Sequence, residues 1–517
     1  MKKIFAILMT ICLMVGALSI TAFAAEELPA PAEGVVMRVT ILKNNGVQVP
    51  VENGDYTDFE TGWEAAIDLA EANTKGYDRI AIHFFADWTA NEDGEFGDTW
   101  DGFSHGAILI PDDVKLTIYL NGHTINRNLT ESESNGEVMY IDEDADVVIS
   151  NGTITGGKST NGAGGIHIHD ADVMLSNVHI VGNVADGDDG GGIALYDGAT
   201  LTMNGGSFEN NVIVGSSWNG AFQCYGGAVY VEDSKATFGD VEFKNNQTEN
   251  DEDYGAAIYA DDSEVYVKNC TFDGNGIKDD SKNFKTSCSI IHGDDSTINI
   301  EKSTFTNNGG GYYYDERWAY NGARLLGFYS SIFTLEDTKL YISGESKFSN
   351  NNVCYIFFCR QDAGVYVSDT TFVDNTSMII FSNEWNENDN YFKNCTFNNN
   401  KMTSDELGHF VNYQGETFNI DVFANFAAIR ITFTNCDMGD SKFFQSDLEY
   451  LSFVDCENAP DASARRFGSI FGEGSLTMIV ALLALIASGV SIFLTVYYNK
   501  KKAVPAAANN ATEEGEE

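Results

Sequence analysis

The chain has 517 residues and is strongly acidic, because 77 Asp and Glu residues outnumber 30 Lys and Arg residues and give a formal net charge of −47. A field of this sign repels nucleic acid and anionic lipid, so neither is expected as a partner. It suits cations, basic partners or neutral glycans, although acidity also keeps an exposed β-rich surface soluble. Fifty Gly and six Pro favour many tight corners and few residues that break a β-ladder.

The N-terminus has the three parts of a secretory leader. Lys2 and Lys3 give a positive start, an apolar run covers residues 4–20, and residues 22–24 form a small-x-small cleavage pattern. We therefore predict a signal peptide over residues 1–24. The alternative, a retained N-terminal anchor, would need a longer apolar run.

A second apolar segment, Leu476–Tyr498, contains 23 residues without a charge. At a helical rise of about 1.5 Å per residue it is long enough to cross the roughly 30 Å hydrocarbon core. Three lysines follow at 500–502, and positive charge stays in the cytoplasm. We predict a single-pass cell membrane protein with a linker over 459–475, a transmembrane helix over 476–498, a cytoplasmic tail over 499–517 and all preceding residues outside.

The chain between about Ile108 and Cys456 repeats a short pattern at intervals of about 25–35 residues. Each unit contains three short strands, and several units begin with a Gly-Gly strand, as at Gly164, Gly191 and Gly226. The recurrent ending Phe-x-x-Asn occurs in phase at Phe208, Phe243, Phe272, Phe305, Phe348, Phe372 and Phe397. The pattern indicates a solenoid.

The alternation within one unit predicts which side chains face inward. Val229 and Val231 fall on one face of their strand, and Tyr230 and Glu232 fall on the other. Stacked units would pair equivalent strands at about 4.8 Å and bury the apolar face that one unit leaves exposed. We expect each motif Phe to stack in an inward column. We expect the motif Asn to occupy a left-handed corner and bond its equivalent one rung along.

These motifs resemble the right-handed parallel β-helix of the pectin-lyase-like superfamily. The GGA[IV] and FxxN pairing looks like the repeats of polymorphic outer membrane proteins and related adhesin-like surface proteins. The resemblance implies an all-β parallel β-helix over residues 107–458, but little about chemistry, since this fold hosts lyases, glycosidases, adhesins and inert stalks. The outer membrane family ends in a β-barrel, whereas this chain ends in an apolar segment that fits a Gram-positive-type envelope. A leucine-rich array and a β-propeller need patterns that this sequence lacks.

Residues 25–106 predict a small α/β cap. A segment of helical apolar spacing begins at Thr61, which we interpret as the N-cap of a capping box completed by Glu64. A strand over 79–88 follows, and the helix is expected to cover the open end of the first rung. His123 is interpreted as a corner residue of an early rung.

Acidic residues supply the candidates for catalysis. Polysaccharide hydrolases of this fold use Asp residues on consecutive rungs as acid and base. The resemblance points to Asp188 and Asp189 in a Gly-Asp-Asp element, Asp294 in a similar string, and Arg430 in a partial match to an Arg-Ile-Lys element. The companion elements are missing, and the alternative is that Asp188 and Asp189 form a turn into the next strand.

Acidic corners supply the only candidates for a metal. Asp251, Asp253, Asp261 and Asp262 could hold Ca²⁺ through oxygen ligands, although their spacing matches no known calcium loop. The alternative is that they are solvated turns. No other cofactor is predicted.

Aromatic residues in the insertions between rungs are the candidates for ligand binding: Trp218, Tyr312, Tyr313, Trp318 and Trp385. Insertions at one corner of a solenoid project from one side, and flat rings beside Asn, Asp and Arg suit contact with a sugar or a protein. The alternative is that these loops fold back and cover the solenoid's own side.

Four cysteines share one phase of the repeat and are predicted to be inward, stacked thiols that behave like small apolar residues: Cys270, Cys395, Cys436 and Cys456. Cys354 and Cys359 would point to opposite faces of one strand, so they are not expected to pair with each other.

Two classes of function remain. One is an adhesin-like display protein that binds an extracellular glycan or surface protein, and the other is a cell-bound polysaccharide lyase or glycoside hydrolase. An acidic or Arg-containing cluster on adjacent rungs of one face would favour the enzyme, and the linear sequence does not reveal one.

Overall fold

The computed structural model describes residues 29–72, 78–90, 108–215, 224–249, 254–277, 288–309, 319–320, 323–324, 330–382, 388–400, 430–441 and 451–460. The chain divides into two compact units, and every described residue except Pro460 belongs to the first, Met1–Phe444 with Tyr450–Ala459. The described residues form one α-helix and forty strands, numbered β1–β40 in chain order.

The predicted signal peptide, transmembrane segment and tail lie outside the described residues. Within the described ranges, no helix combines the length and the apolar character that crossing a membrane requires.

Ten parallel strands, one from each successive turn of the chain, form what we call the front sheet. They are β5 (Ile108–Ile110), β8 (Met139–Ile141), β11 (Ile166–His169), β14 (Ile193–Tyr196), β17 (Val229–Glu232), β21 (Ile258–Asp261), β25 (Ser289–Asp294), β30 (Ser331–Glu336), β33 (Asn352–Arg360) and β36 (Thr376–Ser382). Each strand pairs with the strand one rung before it and one rung after it, so the described chain forms a parallel β-helix.

A larger sheet contains two columns of parallel strands. The first back column is β3 (Arg79–Phe84), β6 (Lys115–Tyr119), β9 (Asp146–Thr155), β12 (Asp172–Val181), β15 (Thr200–Glu209), β18 (Lys235–Gly239), β22 (Glu264–Lys268), β26 (Thr297–Glu301), β31 (Lys339–Ser343), β34 (Gly364–Ser368), β37 (Asp389–Lys393), β39 (Arg430–Thr434) and β40 (Leu451–Val454). The second is β4 (Trp88–Thr89), β7 (Thr124–Asn126), β19 (Glu242–Lys244), β23 (Thr271–Asp273), β27 (Thr304–Thr306), β32 (Lys347–Ser349), β35 (Thr371–Val373) and β38 (Thr396–Asn398), and β9, β12 and β15 run through both columns.

Five rungs add a fourth short strand that the sequence did not predict. These strands are β10 (Lys158–Ser159), β13 (Val184–Asp186), β16 (Val212–Val214), β20 (Gln247–Thr248) and β24 (Gly276–Ile277). They form a parallel sheet, and all except β10 begin directly after an Asn. The remaining pair, β28 (Ala319–Tyr320) and β29 (Ala323–Arg324), is antiparallel.

The inward Phe column is confirmed. The seven motif rings are fully buried, and successive ring centroids lie 4.4 to 5.1 Å apart. The repeat therefore places the same aromatic ring on equivalent rungs, where offset stacking adds to the burial of apolar area.

The motif Asn forms the predicted ladder, but the corner geometry belongs to the residue before it. The ladder runs through Asn183, Asn211, Asn246, Asn275, Asn308, Asn351, Asn375 and Asn400, with Nδ2 to Oδ1 distances of 2.8 to 3.2 Å. The left-handed residue is one position earlier, as in Asn307 with φ 53° and Asn350 with φ 55°. The prediction that one Asn does both was wrong, because a ladder amide must point inward while a left-handed residue turns the chain outside it.

The cap contains two strands that the sequence did not predict, and it is continuous with the solenoid. Strands β1 (Met37–Leu42) and β2 (Gln48–Tyr56) form an antiparallel hairpin, and β1 also pairs with β3, which continues in parallel into β6. Helix α1 (Phe59–Ala72) starts two residues before Thr61. Its N-cap is Asp58, whose carboxylate accepts the Thr61 N–H at 2.9 Å, so the interpretation of Thr61 as the cap was wrong.

The cysteine column has a polar role that the sequence analysis missed. Equivalent positions on other rungs hold Ser303 and Ser346, whose hydroxyls accept the backbone N–H one rung earlier at 3.1 Å. The Cys436 and Cys456 sulfurs accept the same bond at 3.4 Å from the N–H groups of Cys395 and Cys436. The thiols are therefore weak acceptors in a Ser-like ladder, not only small apolar groups. Cys359 is buried in β33, while the side chain of Cys354 lies outside the described residues.

Candidate functional site

The outward side chains of the front sheet form two parallel rows, of which the first is aromatic. The aromatic row occupies one register position and consists of Tyr140, His167, Tyr230, Tyr259, His292 and Phe358, with Ala194 and Thr334 between them. Ring centroids are 4.7 Å apart for Tyr140 and His167 and 4.7 Å for Tyr259 and His292. Tyr230 does point outward as predicted, yet it is only 5% exposed because other rings cover it.

Tyr196 fills the gap that Ala194 leaves in the aromatic row. Its ring lies 4.8 Å from His167 and 5.5 Å from Tyr230, although it belongs to the next outward position of β14. Ala194 is small because the backbone of Gly190 crosses above it: a Cβ on Gly190 would come within 2.7 Å of the Ala194 Cβ. The row is therefore continuous from Tyr140 to His292.

Glycines at the strand starts bring further groups over the row. Gly190, Gly226 and Gly255 have φ of 73°, 74° and 70°, a backbone conformation that L side chains rarely adopt. The residues immediately before the last two are Tyr225 and Tyr254. The Tyr225 ring lies 4.3 Å from that of Tyr259, and the Tyr254 ring lies 4.9 Å from that of His292.

The second row is charged and lies two residues further along each strand, on the same outward face. The charged row is Glu232, Asp261, Asp294, Glu336 and Arg360, which are in register on five consecutive rungs. Adjacent parallel strands are separated by about 4.8 Å, so the four carboxylates repel one another. This is the cluster on adjacent rungs that the linear sequence did not reveal.

Two neighbouring carboxyls of the charged row, Asp294 and Glu336, have different electrostatic surroundings. Burial, followed by the charges of Glu336 and Asp261, raises the pKa of Asp294 to about 6. Glu336 instead has an ion-pair partner, because Arg360 Nη1 lies 2.8 Å from Glu336 Oε2. Burial and neighbouring carboxylates also raise the pKa of Asp261.

His292 is a buried polar side chain with an unused nitrogen. It is 3% exposed, and its Nδ1 has no hydrogen-bond partner among the described residues. Burial, with a smaller contribution from Arg360, lowers the pKa of the imidazole to about 3, so the ring is neutral near pH 7. His292 and Asp294 alternate onto the same side of β25.

The candidates Asp188 and Asp189 lie in the turn that precedes β14. Asp188 accepts the Gly162 N–H at 2.8 Å, and Asp189 accepts the Tyr225 N–H at 2.6 Å, so each carboxylate ties its turn to a neighbouring rung. The Asp189 charge contributes, after burial, to raising the pKa of Tyr230. Asp294 is instead the last residue of β25 in the front sheet, and Arg430 is an exposed residue of β39 in the first back column.

The four calcium candidates do not form one cluster in the described residues. Asp261 belongs to the charged row, and Asp262 is the exposed left-handed corner after it, with φ 44°. Asp251 and Asp253 lie outside the described residues. Within the described ranges, no three His, Cys, Asp or Glu side chains are arranged to hold a metal ion.

The aromatic candidates from the insertions, Trp218, Tyr312, Tyr313, Trp318 and Trp385, all lie outside the described residues. The described chain stops at Gly215 and resumes at Cys224, directly before Tyr225 of the site. The sequence therefore places Trp218 within seven residues of a ring on the front face.

A second aromatic row on the first back column differs in its surroundings. Tyr341, Tyr366 and Tyr391 have ring centroids 4.9 and 5.3 Å apart, and Tyr391 is 42% exposed. The residues two positions further along are Ser343, Ser368 and Lys393, so no row of carboxylates accompanies these rings.

Comparison with known proteins agrees with the fold. Residues 104–277 match a family profile described as right handed beta helix region, a stretch that starts just before β5 and ends with β24. No curated protein and no solved structure matches the chain. The parallel β-helix is thus supported both by the strand pairing and by the family profile, whereas the similarity to polymorphic outer membrane protein repeats has no match behind it.

Proposed function

We propose that this protein is a cell-surface glycan-binding protein whose ligand lies along the front sheet. The observation that carries the proposal is the charged row lying beside the aromatic row on consecutive rungs. Sugar rings present apolar faces and hydroxyl edges, so they need aromatic surfaces next to hydrogen-bonding groups. Tyr225 and Tyr254 supply the partly exposed rings, and Asp261, Asp294 and Glu336 supply the acceptors.

The repeated rungs suit an extended ligand. Equivalent groups recur at about 4.8 Å along the solenoid, so neighbouring units of a polymer would meet similar surroundings. A leader at residues 1–24 and an apolar segment at 476–498 support export and anchoring, with the front sheet outside the cell.

The test is a glycan-binding screen with the full chain purified in detergent. We expect at least one oligosaccharide to bind, and Tyr254→Ala to weaken that binding tenfold or more. Tyr366→Ala is the matched control, because it removes an equivalent ring from the first back column. Equal losses in both variants, or no binding to any glycan, would contradict the proposal.

A second candidate function, glycoside hydrolysis, is favoured by one observation. Asp294, with its pKa raised to about 6, and Glu336, paired with Arg360, form a carboxyl pair on neighbouring rungs. General acid catalysis needs a protonated carboxyl near neutral pH, and a second, ionised carboxylate serves as base or nucleophile. Release of reducing ends by the wild-type chain, abolished in Glu336→Gln, would support hydrolysis. Binding without release would support the display protein.

A further inference from the structure

The charged row has too little positive charge for the carboxylates that it holds. Glu232, Asp261, Asp294 and Glu336 stand on consecutive rungs, and Arg360 at the end is the one basic side chain of this row. Arg360 is engaged with Glu336 through Nη1 at 2.8 Å. Glu232, Asp261 and Asp294 therefore have no basic partner within the row.

The other charged groups around Asp294 do not offset the negative charge of its carboxylate. Asp261 and Glu336 flank it on the neighbouring strands, and Asp295 and Asp337 occupy the left-handed corners that follow β25 and β30. All four raise the pKa of Asp294. A cation bound at the row would remove this repulsion, which is worth more in a partly desolvated site than in water.

His292 gives an independent sign that a hydrogen-bonding ligand belongs here. Its side chain is 97% buried on the outward face of β25, next to the charged row, and its Nδ1 is unpaired in the described structure. A buried polar atom without a partner costs free energy that a ligand can recover. Because the ring is neutral, a lone pair on one of its nitrogens can accept a hydrogen bond from a donor.

The aromatic rings favour the same kind of ligand. Tyr225 and Tyr254 cover Tyr259 and His292, at 4.3 and 4.9 Å between centroids, directly beside Asp261 and Asp294. A cation near an aromatic face gains attraction from the negative face of the ring. An ammonium group attached to a sugar ring would use the carboxylates, the ring faces and the imidazole together.

We propose that the charged row binds the protonated amines of an amino-sugar glycan, such as a glucosamine oligosaccharide, in preference to neutral or uronic acid glycans. This inference rests on the proposed glycan-binding function and names the substrate class of the same site. Uronic acid chains would bring further negative charge to the row and a molecule of net charge −47.

The test compares three probes of similar length on the full chain in detergent by calorimetry: a fully deacetylated glucosamine hexasaccharide, its N-acetylated form, and an oligogalacturonide. At pH 7 we expect the deacetylated probe to bind at least tenfold more tightly than the acetylated one. Asp294→Asn and Glu336→Gln together should reduce this preference to less than threefold. Asp374→Asn is the control, since it removes a carboxylate from a left-handed corner of the second back column.

A measurement on the unaltered chain does not depend on the variants folding. The glucosamine amines gain protons over the same pH range, so this measurement uses an N,N,N-trimethylated glucosamine hexasaccharide, whose charge does not change with pH. Protonation of Asp294 between pH 7 and 5 should lower the preference for this probe over the acetylated one at least threefold. A preference that is unchanged by pH and by the double variant would overturn the inference. So would tighter binding of the acetylated or acidic probe, which would leave the glycan-binding function standing. Failure of all three probes, together with a negative glycan screen, would overturn both. Ca²⁺ binding that requires Asp294, without any preference for the amine, would overturn this inference alone.

Discussion

Arg360 Nη1 lies 2.8 Å from Glu336 Oε2 across one rung of the front sheet, at the end of a row of carboxylates. The Glu336 side chain is 16% exposed, so the pair is partly protected from solvent screening. The guanidinium charge acts on more than this one salt bridge, because it is the one positive group in a row that contains four carboxylates. This geometry makes the row sensitive to charge and to pH.

The first prediction concerns the loss of that guanidinium. Arg360→Gln removes the partner of Glu336, so the repulsion between Glu336 and Asp294 is no longer offset. We expect the free energy of unfolding at pH 7 to fall by about 1 to 2 kcal/mol, with a smaller loss at pH 5, where Asp294 is protonated. Chemical denaturation at both pH values measures the difference.

Arg430→Gln is the control for this substitution, because Arg430 is exposed on β39 and belongs to no charged row. We expect it to change stability by less than about 0.5 kcal/mol. A loss in Arg360→Gln that is equal at pH 5 and pH 7 would show that packing, not charge, is what Arg360 contributes.

The second prediction follows from the raised pKa of Asp294, which is about 6 in the folded protein against an ordinary value of 3.8. Between these values the folded state holds a proton that the unfolded chain releases, so stability falls as pH rises through this window and levels off above it. Asp294→Asn should remove this slope. It should make the protein more stable at pH 7 by about 1 kcal/mol, a figure reduced for solvent screening of a partly exposed group.

Denaturation curves from pH 4 to pH 8 test this sign directly. Asp374→Asn, at an exposed corner on the second back column, should leave the slope unchanged. The raised pKa would be contradicted if the stability of the wild-type protein rose from pH 4 to 6 and the Asp294→Asn and Asp374→Asn variants showed the same pH dependence.

The third prediction concerns the asparagine ladder. Asn308 Oδ1 accepts the backbone N–H and the Nδ2 of Asn275, and its own Nδ2 donates to Asn351 Oδ1 at 3.0 Å and to the Phe272 carbonyl at 2.9 Å. Asn308→Ala would strip partners from several buried groups, each at about 1 to 3 kcal/mol. We expect a loss of about 4 kcal/mol in the free energy of unfolding.

The neighbouring residue provides the control for the ladder. Asn307 is exposed, with φ 53°, and glycine accepts that conformation without strain, so Asn307→Gly should change stability by less than about 1 kcal/mol. Comparable losses for the two variants would indicate that the corner, not the buried amide, holds the rung.

Local period-two alternation was enough to predict the solenoid. It placed Val229, Val231 and the motif Phe residues inward, because the side-chain direction in a strand depends only on the neighbouring residues. The helix start was misplaced from Asp58 to Thr61 because several residues of this segment are acceptable N-caps, and only the three-dimensional contact selects one. The left-handed corner was misplaced by one residue for a similar reason.

The two rows of the front sheet could not be predicted from the sequence, because they depend on the register between rungs. Tyr230, Tyr259 and His292 come together only when strands separated by loops of different length are set in register. The signal was present in the Gly-Gly strands: their alternate residues give the aromatic row and, two positions later, the charged row. Asp294 was a candidate from the sequence, while Glu336 and Arg360 gained their roles from register alone.

The last prediction separates the two roles of the cysteine column. Val241, which is buried, occupies the same phase of the repeat one rung before Cys270 and donates its N–H to the Cys270 sulfur at 3.5 Å, so this position accommodates a β-branched apolar side chain. At Cys436, serine would keep the acceptor for the Cys395 N–H, whereas valine would fill the space and remove it. We expect Cys436→Ser to cost less than about 1 kcal/mol and Cys436→Val about 2 kcal/mol, since a buried N–H without a partner costs about 1 to 3 kcal/mol. Urea denaturation of both variants decides the matter: if valine is tolerated better than serine, the column is held by apolar packing and the sulfurs are not needed as acceptors.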